Sequence, residues 1–335
     1  MIKEFLPSVS PRSFRRRVAL LGRRTTKAVA PLVPLRLLIR HRQPGPLVFF
    51  VHGIGQDKPF LNSLYQSHSP ATFISMLDEI LTCLKPLEDL SAESILHARS
   101  DQFIATFDDG LKSTYEHAVP ILQSKGIPAI FFLNTAFLDN ASRFYRFEAG
   151  LLADRVKNLN EAEIAKLRRV LSNREPESRP LDKWLLSVKY PERVVLDEVA
   201  EALSIDMKAL FESEKPFMST EQVKDLLSQG FYLGAHSIDH PRYSEISEEE
   251  QVRQTLLSVK DLSQRFSLAY NYFAFPFGSA GAEKSFFEKT SDEVDLYFTT
   301  GGWKAPDRKN KILHREGLDA VRSPYRYLQR VLFAS

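Results

Sequence analysis

One cysteine in 335 residues, Cys83, excludes an internal disulfide framework. Its setting, Ile80-Leu81-Thr82-Cys83-Leu84, reads as an apolar helix face and not as the surroundings of a nucleophile. Long hydrophobic runs are lacking too: Val18 to Leu21 and Pro31 to Ile39 are too short to span a bilayer, and the second is interrupted by Arg36 and carries Pro31 and Pro34. The basic cluster Arg15 to Arg17 is followed by only four apolar residues before Arg23 and Arg24, well short of the apolar stretch of a secretory signal. No internal repeat or low-complexity tract is present. The body of the chain also lacks a basic stripe interleaved with aromatics, so nucleic acid is not an expected partner.

What is present is an ordinary globular balance, 43% apolar and 26% charged, with a formal charge of +3 that hides an asymmetry. Residues 1–45 hold eleven Lys/Arg against the single acid Glu4, while the remaining 290 residues hold 34 bases and 41 acids. The basicity therefore belongs to an N-terminal arm, expected over 1–46 and ending at the breaker Pro44-Gly45-Pro46. Such an arm suits peripheral contact with an anionic membrane surface from the cytoplasmic side, the expected place of action. The domain proper is expected over 47–335.

Leu47-Val48-Phe49-Phe50-Val51 is a continuous apolar run closed by His52-Gly53, the pattern of a strand buried on both faces. Similar runs recur at 103–108, 129–134, 231–236, 271–276, 295–299 and near 311–318. Helical patterns lie between, after the Ser69-Pro70 cap, at 112–124, 219–229 and 247–265. Strands alternating with helices imply parallel pairing through right-handed crossovers, and seven strands point to a barrel or a doubly wound sheet. Functional groups would gather at the strand carboxyl ends. The charged, helix-forming stretch 141–215, punctuated by Pro176 and Pro180, breaks the rhythm and is expected to be a helical insertion in the same domain.

At the end of the run Phe103-Ile104-Ala105 stands Thr106-Phe107-Asp108-Asp109-Gly110. Two adjacent carboxylates at a buried strand end repel each other unless a cation, a shared proton or a substrate holds them. A partner lies at Gly234-Ala235-His236-Ser237-Ile238-Asp239-His240, where two histidines follow a strand and can point the same way if the chain turns helically. Imidazole plus carboxylate suits zinc or a similar divalent ion, with a position left open for water.

These two motifs, with Phe131-Phe132-Leu133 and Phe273-Ala274-Phe275-Pro276-Phe277-Gly278, resemble the polysaccharide deacetylase family, carbohydrate esterase family four, over about Leu47 to Leu318. The resemblance implies a distorted (β/α)7 barrel that removes N-linked, or as second choice O-linked, acetyl groups from a carbohydrate such as a surface polysaccharide or its precursor. It implies Asp108 as general base, Asp109, His236 and His240 as ligands of a divalent metal ion of zinc type, and the backbone N–H of Phe277 as an oxyanion donor. The chemistry agrees, because a divalent cation lowers the pKa of bound water toward about 7 and a neighbouring carboxylate takes the proton.

Two departures from the family's pattern are visible. Its third motif, Arg-x-Pro-Tyr, supplies an arginine that orients the base, and here Ala274-Phe275-Pro276-Phe277 has none. Arg315, in Lys311-Ile312-Leu313-His314-Arg315, is the expected replacement, with Arg242 behind it. His314 is the candidate proton donor to the leaving amine, although alternation along a strand lets only one of His314 and Arg315 face the interior.

Other features divide between functional and plain readings. Val51-His52-Gly53-Ile54-Gly55 resembles the oxyanion-hole segment of an α/β-hydrolase-type esterase, but the Gly-x-Ser-x-Gly elbow this needs is absent, so His52 either lines the cleft floor or packs at the strand end. His117 is expected to face solvent, and Asp239 to serve a turn. Phe144-Tyr145-Arg146-Phe147 either stacks on sugar or packs in a core, and Trp303 either walls the acetyl pocket or is simply buried. A catalytically idle carbohydrate-binding barrel is the alternative of a different class, motivated by the missing motif-three arginine.

Overall fold

The computed structural model describes residues 35–41, 45–55, 64–171, 179–319, 321 and 323–334. Most of the expected basic arm, 1–34 and 42–44, lies outside the described residues. The strands are β1 (Leu47–Val51), β2 (Lys85–Pro86), β3 (Gln102–Phe107), β4 (Ala129–Leu133), β5 (Tyr232–Ala235), β6 (Tyr272–Ala274), β7 (Leu296–Thr300) and β8 (Ile312–Gly317). All pairings between them are parallel, in the order β1-β8-β7-β6-β5-β4-β3, and β3 pairs back onto β1. Seven strands thus close a barrel, and the two-residue β2, which carries no periodic signal, flanks β3 from outside the ring. The barrel is uneven: β1 and β3 share five register pairs, whereas β5 and β6 share only Ala235 with Phe273.

Strand parity divides the wall into two apolar environments. Phe49, Phe103, Ala105, Phe131, Leu133, Leu233, Phe273 and Tyr297 face outward into the main core beneath the helices. Val48, Ile104, Ile130, Phe132, Ala274, Phe298 and Leu313 fill the interior. Gly234 is inward on β5, where an added Cβ would lie 2.4 Å from the Phe132 ring, so only glycine allows that ring to cross the barrel floor.

Helices cover the wall. Pro70–Leu81 begins at Ser69, whose hydroxyl accepts from the Thr72 amide, and Thr220–Ser228 begins with a capping box between Ser219 and Gln222. The expected helix over 112–124 is divided into a π-helical turn, Thr114–Ala118, and an α-helix, Val119–Ser124. Pro120 explains the break, because it has no N–H to give the preceding turn and its ring displaces the carbonyl there. Leu35–His41 falls within the range expected as an arm, yet Leu35, Leu38 and Ile39 are buried in the main core, which the C-terminal helix Pro324–Ala334 joins through Leu328 and Leu332. Packing therefore begins before Pro44-Gly45-Pro46. Among the described residues no helix is long and apolar enough to cross a membrane.

The stretch 141–215 forms helices at Tyr145–Val156, Glu161–Val170, Leu181–Leu185, Val195–Ala202 and Met207–Glu214 around a second core. Phe137, Phe217 and Leu111 belong to that core too, so the insertion is seated on the loops after β3 and β4, beside the rim where the site lies.

Candidate active site

Inward parity on β3 gives Ile104, Thr106 and then Asp108, whose amide donates to the Val51 carbonyl at 3.2 Å as though the strand continued. Asp109 then enters the left-handed region, φ 69°, followed by Gly110 at φ 66°, and this turn brings a second carboxylate to the same cup. His240 and Phe277 also have positive φ, 64° and 59°. Such conformations are costly for residues with a Cβ and persist where the surroundings enforce them, commonly at functional sites.

The two carboxylates have different partners. Asp108 is gripped by Arg315, Nη1 to Oδ1 at 2.6 Å and Nη2 to Oδ2 at 2.9 Å. Arg315 Nη1 also donates to the Thr106 hydroxyl at 3.1 Å, which donates in turn to the Phe49 carbonyl at 2.8 Å. The guanidinium lies 4.8 Å from the Phe50 ring centroid and 5.1 Å from that of Phe132, so its burial is matched by aromatic faces as well as by charge. Burial alone would raise the Asp108 pKa, but Arg315 holds it below the ordinary carboxylate value.

Asp109 meets imidazoles instead. Nε2 of His240 lies 3.2 Å from its Oδ1 and Nε2 of His236 lies 3.5 Å away. The Nδ1–H of His236 donates to the Ala274 carbonyl at 2.8 Å, so its Nε2 carries a lone pair. Burial, the largest influence, outweighs Asp108 and lowers the His236 pKa to about 4, which keeps the ring neutral. Burial opposes charge on Asp109, yet His240 and the cationic His52 drive its pKa far below the usual range. Its Oδ1 has no hydrogen-bond partner, and neither has His240 Nδ1. A buried, unpartnered carboxylate oxygen facing two imidazoles is a donor set suited to a cation, and the donor atoms of Asp109, His236 and His240 lie within 4.8 Å of one another. The three residues fit a divalent ion.

His52 closes the cup from β1, inward like Val48. Its N–H donates to Asp319 Oδ1 at 2.8 Å and its Nδ1 is 2.7 Å from Asp319 Oδ2. Burial opposes charge on the ring, but Asp319, helped by Asp109 and Asp108, raises the pKa to about 9, so His52 is protonated near neutrality. Its ring stacks on Tyr65 at 4.4 Å, and the Tyr65 hydroxyl donates to Asp109 Oδ2 at 2.5 Å.

The other candidates fall elsewhere. Parity on β8 gives the interior to Leu313 and Arg315 and turns His314 outward, where Lys304 and Asp307 are its charged neighbours; a proton donor at His314 is not compatible with that direction. Arg242 does not reach Asp108: its guanidinium lies 4.1 Å from the Phe277 ring centroid, with Glu245 3.5 Å away. Phe277 packs its ring against His240, and its carbonyl accepts from Thr300 at 3.0 Å. Asp239 accepts from the Tyr190 hydroxyl at 2.5 Å and from Gln254 at 2.7 Å, pinning the insertion to the histidine loop. Phe144, Tyr145 and Phe147 are buried in the insertion core, Trp303 is buried in the outer core, and His117 is half-buried on the π-helical turn. Tyr65 and Asp319 were not visible in the sequence, because neither stands in a periodic element or beside a motif.

A family model described as polysaccharide deacetylase matches residues 98–175 and 184–291. Among solved structures, the Streptococcus pyogenes deacetylase PplD, determined in complex with acetate, is 16% identical over 86% of this chain and 99% of its own, with a TM-score of 0.55. IcaB from Ammonifex degensii is 18% identical over 88% of this chain and 99% of its own, with a TM-score of 0.51. A polysaccharide deacetylase from Bacillus cereus is 13% identical over 87% of this chain and 70% of its own, with a TM-score of 0.54. At these identities the structures show a common fold. No curated protein matches the chain.

Proposed function

Because the chain belongs to the polysaccharide deacetylase family, hydrolases that remove acetyl groups from carbohydrate, we propose that it cleaves the N-acetyl group of a sugar with the help of a divalent cation. The observation that carries this reading is the division of labour between neighbouring acids: Asp108 is held by a fixed guanidinium, while Asp109 shares a cup of metal-ligating type with His236 and His240.

Asp109, His236 and His240 would hold the cation, a zinc-type ion being the best match to one carboxylate and two imidazoles. When bound, such an ion acidifies water and polarises the acetyl carbonyl. Asp108 accepts the proton of the attacking water, and Arg315 fixes both of its oxygens so that the carboxylate stays ionised and aimed. The Phe277 N–H has no backbone acceptor among the described residues and is the donor assigned to the developing oxyanion. His52, cationic and oriented by Asp319, gives the proton that the leaving amine requires. That last step favours the N-acetyl over the O-acetyl reading, since an amine leaves poorly without a proton and an alkoxide less so. A surface polysaccharide or its precursor is the substrate class in view.

The test is acetate release from N-acetylated sugar oligomers by chelated protein before and after zinc is returned. Release that survives both chelation and Asp109→Ala overturns the proposal.

A further inference from the structure

We infer that Tyr65 is a positioning residue of the cation site, a phenol that fixes the free carboxylate oxygen of Asp109 and ties it to the His52 ring; this rests on the cation reading above. Tyr65 lies on the connection between β1 and the helix Pro70–Leu81, remote in sequence from every assigned ligand. Its hydroxyl reaches Asp109 Oδ2 at 2.5 Å, leaving Oδ1 as the oxygen that faces His236 and His240. Its ring lies nearly parallel to His52, 4.4 Å between centroids and 12° between planes, and meets Phe147 of the insertion edge-on at 6.4 Å.

The contact matters because Asp109 sits on a left-handed residue at the end of a strand, where no backbone ladder sets the side-chain direction. A donor on Oδ2 selects one rotamer of the carboxylate and so aims Oδ1 at the cup before any cation arrives. Because Phe147 braces the far edge of the ring, the insertion core contributes to the geometry of a site it does not ligate.

The experiment compares wild type with Tyr65→Phe, which keeps the stack and removes the hydroxyl. Both are stripped with chelator and titrated with zinc by calorimetry, and their melting is followed without metal. The expected result is zinc affinity reduced about ten- to a hundredfold in Tyr65→Phe, the usual cost of losing a group that orients a ligand, with metal-free melting lowered only as far as one lost hydrogen bond to a buried carboxylate accounts for, and less than in Tyr65→Leu. Equal zinc affinities would overturn the inference and leave Tyr65 a packing residue. Tyr65→Leu serves as the contrast, because a packing role predicts lowered metal-free melting there and no loss of affinity in Tyr65→Phe. If wild type binds zinc but releases no acetate, the deacetylase reading fails while the Tyr65 result still stands by itself.

Discussion

Asp108 and Asp109 are neighbours in the chain, equally buried, and live in opposite electrostatic worlds. On the Asp108 side the counter-charge is built in: Arg315 makes two short bonds, donates also to Thr106, and is enclosed between Phe50 and Phe132. The Asp109 side provides the two imidazoles of His236 and His240, a phenol and an oxygen without a partner. A desolvated charge needs compensation in either case. The difference teaches that one acid is given its counter-charge by the fold and the other is not, which on the proposed reading lets a single strand end carry a proton acceptor and a cation ligand together.

Exchanging each acid for its amide breaks this comparison most severely. Asp109→Asn is expected to abolish zinc binding in a calorimetric titration and acetate release with it. Asp108→Asn is expected to lower kcat by about 10²- to 10⁴-fold, the range for loss of a general base, with zinc binding retained. If both variants lose zinc alike, the two sides are not separate.

Arg315→Met tests the built-in charge. Leaving Asp108 buried alone is expected to cost about 3–5 kcal/mol in denaturant unfolding at neutral pH, as for other broken buried pairs. The sign of the pH effect follows from the lowered Asp108 pKa: its contribution is present above the unfolded carboxylate value and is lost as pH falls through the folded one. Without the guanidinium, desolvation raises that pKa. The acid limb of kcat/KM therefore moves to higher pH, and an unchanged limb would show that Arg315 does not set the state of Asp108.

How much of this was legible depended on whether a signal was local. Most of the barrel strands were readable because they are apolar runs of strand length, β8 with its His314, Arg315 and Glu316 being the exception, and the acid and histidine motifs because they stand at strand ends. Arg315 and His314 were readable as a choice: alternation admitted one of them inside, and only register, with Leu313 in the interior core, decides which. Tyr65 and Asp319 lie outside regular elements, so nothing periodic marks them. The aromatic run Phe144 to Phe147 reads the same in sequence whether it packs or stacks on sugar. Its burial depends on Phe137 and Phe217, contacts that come from distant parts of the chain.

A smaller effect separates His52 from the acids it serves. Asp319 is the main force raising the His52 pKa to about 9, against burial, and a raised histidine pKa gives stability present below the unfolded value and lost as pH rises through the folded one. Asp319→Asn removes that force. The basic limb of kcat/KM is then expected to move from near 9 down by about two pH units, toward the ordinary imidazole range, with zinc affinity little changed. A basic limb that stays in place would assign the proton donor elsewhere.

The smallest expected change lies where the insertion touches the histidine loop. Tyr190 donates to Asp239, and Asp239, held also by Gln254, is the residue just before His240. Tyr190→Phe removes one hydrogen bond to a charged group and keeps the ring that packs on Tyr145, so the expected cost is about 1.5–3 kcal/mol in unfolding. Because Asp239 retains Gln254, the His240 backbone stays held, and zinc affinity is expected to fall by less than in Tyr65→Phe. The comparison sharpens if this order holds: the insertion acts on the Asp109 side through Tyr65 first and through the loop second. A larger loss of zinc affinity in Tyr190→Phe than in Tyr65→Phe would reverse that order and make the Asp239 tether the stronger route.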